Sequence, residues 1–112
     1  MTPRPLVLVA EDDPDILTLI TLTLELDGWD VVTAPDGARA FEAATARVPH
    51  LIVLDLMMPG LDGWEVTRML RTHAATKDVP IMIVTAFAEE TQAATALEAG
   101  ADAYMRKLAS KK

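Results

Sequence analysis

Five short apolar runs recur along the chain at a fairly even interval, separated by longer amphipathic stretches. The runs Leu6 to Ala10, Asp30 to Ala34, Leu51 to Leu54, Pro80 to Thr85 and Ala103 to Met105 have the length of strands and, mostly, their β-branched content. The third and fourth are apolar without alternation, as expected of parallel strands covered on both faces. Between the runs the pattern predicts helices at residues 14–27, 37–47, 63–73 and 89–98. Strand and helix alternating in this way predict a parallel α/β sheet with right-handed crossovers.

Local signals support these boundaries. Asp13 precedes Pro14, an N-cap followed by a proline in the first helical position, and Asp15 adds negative charge to the first turn. Asp36-Gly37 and Asp62-Gly63 mark turns into the second and third helices, and Gly100 ends the fourth. The stretch Leu19 to Leu26 has a partial alternation that also suits a strand, but the cap and the crossover favour a helix. A helix so apolar all round should be covered on more than one side.

The length of 112 residues sets one domain, residues 1–112, as the ceiling. An apolar fraction of 51% is too high for a disordered chain. With no cysteine there is no disulfide framework, thiolate zinc site or cysteine nucleophile. The formal charge of −7 argues against nucleic acid as a partner, because affinity for phosphate backbones comes largely from clustered Lys and Arg. The stretch Leu6 to Ala10 runs straight into acidic residues, so no signal peptide or membrane span is read there and a cytoplasmic location is expected.

Ligands of open parallel α/β sheets bind at the carboxyl ends of the strands. The first strand ends in Glu11, Asp12 and Asp13, the third in Asp55, the fourth in Thr85, and Lys107 follows the fifth. Carboxylates gathered there repel one another by a few kcal/mol per pair at about 4 to 5 Å and an effective dielectric near 20, so a cation must offset them. All-oxygen donors without His or Cys suit magnesium. Glu11 to Asp15 lacks the central Gly and closing Glu of a calcium EF-hand, and a flavin phosphate would need donors where these residues are acceptors. Asp13 is read as a helix cap rather than a ligand. His50 and His73 show no evident role, and Arg68 and Arg71 are read as the solvated face of the third helix.

Four separated blocks, Val9-Ala10-Glu11-Asp12-Asp13-Pro14, Leu54-Asp55-Leu56-Met57-Met58-Pro59-Gly60, Val84-Thr85-Ala86 and Ala101-Asp102-Ala103-Tyr104-Met105-Arg106-Lys107, resemble in order and spacing the receiver domain of bacterial two-component response regulators. The resemblance implies a flavodoxin-like doubly wound sheet of five strands in the order 2-1-3-4-5. It implies that Asp55 accepts a phosphoryl group from a sensor histidine kinase or histidine phosphotransfer protein. Asp12 and Asp55 would ligate Mg2+, with the Met57 backbone carbonyl as a third ligand and Glu11 acting through water. Lys107 would pair with the phosphoryl oxygens, and Thr85 and Tyr104 would switch the face made by the fourth helix and fifth strand. The chain would then be a signalling phospho-acceptor, not an enzyme beyond its own phosphorylation and dephosphorylation.

The sequence also departs from the family. Leu108 follows Lys107 where a cis-linked proline is usual, and a non-proline cis bond costs about 2.5 to 4 kcal/mol, so a trans bond and a changed loop path are expected. Met57 and Phe87, both large and apolar, stand where the family tunes water access, which predicts a long-lived phosphoryl group. Only Leu108 to Lys112 follow Lys107, so the fifth helix is expected to be absent or truncated. Either the sheet face left bare drives self-association or element exchange between two chains, or the chain is a loosely folded monomer. Two other functions compete: a receiver-fold interaction or dimerisation module that is never phosphorylated, and an aspartate-based phosphohydrolase, whose second Asp is replaced here by Met57.

Overall fold

The computed structural model describes residues 3–56, 58–85 and 100–106, with 85 and 104–106 described by their backbone. Five strands, β1 (Leu6–Ala10), β2 (Asp30–Ala34), β3 (Leu51–Asp55), β4 (Ile81–Thr85) and β5 (Ala103–Arg106), form one parallel sheet in the order β2-β1-β3-β4-β5. Three helices alternate with them, α1 (Pro14–Leu26), α2 (Gly37–Ala46) and α3 (Gly63–Thr72). The strand order and the alternation are those expected. The predicted helix at 89–98 lies outside the described residues, as do the expected truncation after Lys107 and the bond to Leu108.

Strand periodicity assigns the core. Leu8, Ala10, Ile52, Leu54, Ile81 and Ile83 point to one face, where Ala40 and Ala44 of α2 and Val66 and Leu70 of α3 close over them. Val7, Val9 and Val53 point to the other, against Leu17, Ile20 and Leu24 of α1. Small alanines let α2 lie close to the sheet, and each fully buried Leu or Ile contributes about 1.5 to 3 kcal/mol.

The two faces are unequally covered. No residue of α1 is buried, and Leu19, Leu22 and Leu26 are 66%, 54% and 89% exposed. The expectation that α1 is covered on more than one side is therefore corrected among the described residues. These three leucines stand open to solvent, while Ile20 and Leu24 between them pack toward the sheet. Between α1 and the sheet lies an apolar groove of about 350 Å³, bordered by Leu19, Ile20, Thr23, Leu24, Leu51, Val53, Met82 and Val84.

The ends of α1 are fastened by polar groups. Asp13 caps its start, accepting from Asp15 N at 2.9 Å and Ile16 N at 3.3 Å. Its last turn contains no basic residue, but Arg4 donates to the carbonyls of Glu25, Gly28 and Trp29 at 2.9, 3.0 and 3.1 Å. A cation from outside the helix thus satisfies its carboxyl end. His50, for which the sequence suggested no role, accepts the Leu6 amide on Nδ1 at 3.0 Å, while its own amide donates to Leu6 O at 2.8 Å. Both bonds join the amino ends of β1 and β3.

Candidate functional site

β1 and β3 are neighbours in the sheet, with Ala10 opposite Leu54, so the residues just past β1 emerge beside the end of β3. Asp55 is itself the last residue of β3, one further than predicted, and pairs with Val84. Its side chain is only 5% exposed. Glu11 extends the β1–β2 pairing through an amide bond to Ala34 O at 3.1 Å, and its carboxylate accepts the Asp13 amide at 3.1 Å. That bond turns Glu11 inward, where it is 2% exposed, while Asp12 stays at the surface. Asp13 turns away to cap α1, as expected.

One carboxylate oxygen from each of Glu11, Asp12 and Asp55 lies within 4.8 Å of the others. At that separation two full charges repel by roughly 3 kcal/mol for an effective dielectric of about 20. The donor set contains oxygen alone, two of its members are sheltered and the third faces solvent. This fits a small hard cation that keeps part of its water shell, which is the preference of Mg2+.

The connection from β3 to α3 is held from both ends. The Leu56 amide donates to Val84 O at 3.3 Å, and the Gly63 amide donates to Leu56 O at 3.0 Å. Asp62 and Glu65 form a reciprocal capping box at the start of α3, the Asp62 carboxylate accepting the Glu65 amide at 2.9 Å. Gly63 comes so near that a Cβ on it would lie 3.0 Å from both Asp55 O and Leu56 Cα. A side chain there would press on the backbone that carries the central carboxylate.

The remaining candidates are placed less fully. Thr85 ends β4, its backbone in register with Arg106, and Tyr104 lies in β5 opposite Ile83. Thr85 therefore stands at the carboxyl end of the sheet where the acids gather, and Tyr104 two positions short of that end. Met57, Phe87 and Lys107 lie outside the described residues. Arg71 is a correction: it is not a solvated residue but the hub of the α3–β4–β5 junction. Its guanidinium donates to Gly100 O at 2.8 Å, Val79 O at 2.7 Å, Lys77 O at 3.1 Å and the Asp102 carboxylate at 2.6 Å. Sequence spacing misses this because four of the partner residues lie six to thirty-one positions further on.

Comparison with known proteins agrees with this geometry. A family model described as the response regulator receiver domain matches residues 7–112. The alkaline phosphatase synthesis transcriptional regulatory protein PhoP of Bacillus subtilis is 46% identical over 101 residues, 90% of this chain and 41% of PhoP. The chain thus spans well under half the length of that relative. The BeF3-activated N-terminal receiver domain of Klebsiella pneumoniae RstA superposes with a TM-score of 0.86 at 36% identity, over 93% of this chain and 86% of that one. The receiver domain of the Pseudomonas aeruginosa sensor histidine kinase PA1611, with a magnesium ion coordinated in its active-site cleft, gives a TM-score of 0.87 at 31% identity over 94% and 86%. A parallel sheet of this order, an acidic cluster at its carboxyl edge and a family match over nearly the whole length lead to one conclusion: the chain belongs to the response regulator receiver domain family of two-component signalling.

Proposed function

We propose that this chain, as one receiver unit, accepts a phosphoryl group on Asp55 in a Mg2+-dependent reaction. The observation that carries the reading is the convergence of Glu11, Asp12 and Asp55 within 4.8 Å at the end of β3. Asp12 and Asp55 would hold the cation, with Glu11 acting through water and the Met57 carbonyl as a further ligand. When bound, Mg2+ offsets the charge of the carboxylates and of the incoming phosphoryl oxygens. Asp55 attacks phosphorus through a carboxylate oxygen. The bond to the donor breaks, an acyl phosphate forms, and the donor leaves with the electron pair.

Lys107 pairs with the phosphoryl oxygens, and Thr85 and Tyr104 carry the change to the face built on β5. The donor is a sensor histidine kinase or histidine phosphotransfer protein in the cytoplasm. Among the described residues, no helix is long and apolar enough to cross a membrane. The downstream effector is a protein partner or a further domain, a reading supported by the larger size of PhoP, a transcriptional regulatory protein. With no acid at Met57 to activate water, the group acts as a signal rather than as an intermediate of a phosphohydrolase.

Incubation with a small acyl phosphate, followed by intact-mass measurement, tests this reading. One added phosphoryl group is expected with Mg2+ and none with a chelator; no gain in either condition would overturn it. A second reading, an interaction module that works without phosphorylation, draws on the exposed Leu19, Leu22 and Leu26 row. Under that reading the unphosphorylated chain self-associates in light scattering, and a monomer at all concentrations would remove it.

A further inference from the structure

Gly37 is the buried first residue of α2, held behind its cap Asp36, whose carboxylate accepts the Arg39 amide at 2.8 Å. It belongs to none of the blocks that carry the receiver resemblance. Yet a Cβ on it would run into the Leu61 carbonyl oxygen, and would lie 2.7 Å from Val66 Cγ2 and 2.8 Å from Leu61 Cβ. The Leu61 oxygen and Cβ are main-chain and near-main-chain atoms that cannot rotate aside, and the Val66 methyl belongs to a fully buried β-branched side chain. Ala40 and Ala44, fully buried one and two turns on, hold α2 against the sheet, so the connection between β3 and α3 has to yield. That connection is short. Leu61 is followed by the cap Asp62 and by Gly63, whose amide bonds to Leu56 O and whose Cα side rests on the Asp55 and Leu56 backbone.

We propose that Gly37 is a positioning residue for the cation site: the bare α2 end seats Leu61, and the seated loop sets where the Asp55 carboxylate stands relative to Glu11 and Asp12. The inference rests on the reading of that cluster as a divalent-cation site. It assigns to α2, an element that contributes no ligand, control over cation affinity and hence over phosphoryl acceptance. Groups that orient ligands from behind typically change metal affinity by about 10- to 100-fold when altered, and a shift of the Asp55 backbone acts in the same way.

The test is calorimetric titration of MgCl2 into the native chain, Gly37→Ala and Ala44→Gly, with a thermal melt of each. Ala44→Gly loosens the same helix without touching Leu61. The expected result is an affinity at least about tenfold weaker for Gly37→Ala and within about twofold of native for Ala44→Gly. Equal affinity in the native chain and Gly37→Ala, or an equal loss in both variants, overturns the proposal while leaving the cation site intact. No binding by the native chain overturns the cation reading itself, and the proposal with it. Should Gly37→Ala fail to fold, Leu61→Gly unseats the same loop without adding an atom: weakened affinity supports the proposal and native affinity overturns it.

Discussion

The carboxylate of Asp102 lies 2.6 Å from the Arg71 guanidinium and also accepts the Ile81 amide at 2.8 Å, so one acid ties the end of α3 to the starts of β4 and β5. The Asp102 amide returns a bond to Ile81 O at 2.8 Å. Since the Asp102 side chain is 58% exposed, the ion pair itself contributes little. The larger share comes from the three carbonyls that Arg71 satisfies. Arg71→Ala is expected to cost about 2 to 3 kcal/mol in urea denaturation, and Arg71→Lys to recover only part, because a single ammonium cannot reach all four partners. Asp102→Asn, which keeps an acceptor for the Ile81 amide, is expected to cost under about 1 kcal/mol. An Arg71→Ala chain of native stability would show that the junction does not depend on this hub.

His50 holds the amino ends of β1 and β3 together at the edge opposite the acids. His50→Ala leaves the Leu6 amide without its acceptor and is expected to cost about 1 kcal/mol, while His50→Asn restores most of it through the side-chain oxygen. Denaturant midpoints of the two variants check this. Phosphoryl acceptance should be unchanged in both.

The caps make separable contributions. Asp13→Ala and Asp62→Ala are each expected to lose about 1 kcal/mol, the usual effect of removing an N-cap oxygen. Only Asp62→Ala should also weaken cation binding, since Asp62 anchors the connection that begins at Asp55, whereas Asp13 serves α1. Paired melts and magnesium titrations distinguish the two effects.

Charge repulsion within the acidic cluster predicts an inversion. Without divalent cation, Asp55→Asn removes one of three clustered charges and should stabilise the chain by about 1 to 3 kcal/mol. With Mg2+ at a hundredfold excess over its dissociation constant, the native chain should gain about 2.7 kcal/mol and the variant much less. Thermal melts with and without the ion read both effects. An Asp55→Asn chain stabilised by Mg2+ as strongly as the native chain would place the cation elsewhere.

The strand order came only with the family resemblance, whereas the alternation of strands and helices, the three described helices and the acids at the strand ends were legible in the amino-acid sequence for a physical reason. Each of the latter depends on local periodicity or on a residue's place at a strand end, as with Asp55 after Leu51 to Leu54. Arg71, Arg4 and His50 were not legible, because each acts through backbone carbonyls or amides brought near by the tertiary fold, and a backbone partner leaves no mark in side-chain identity. The exposure of α1 was misread for a related reason. Leu19, Leu22 and Leu26 show that the helix is apolar, but not what lies against it. Gly37 was recognised as part of a turn, whereas its closeness to Leu61 arises only once α2 and α3 lie side by side.

The central claim is that Asp55, and not its neighbours, carries the phosphoryl group, and reductive trapping tests it most directly. The chain is treated with a small acyl phosphate and Mg2+, reduced with borohydride, which converts an acyl phosphate to the alcohol, and its peptides are sequenced by mass spectrometry. Homoserine at position 55, absent when the cation is chelated, is the predicted result; homoserine at position 12 instead, or unmodified aspartate at both positions, would contradict it.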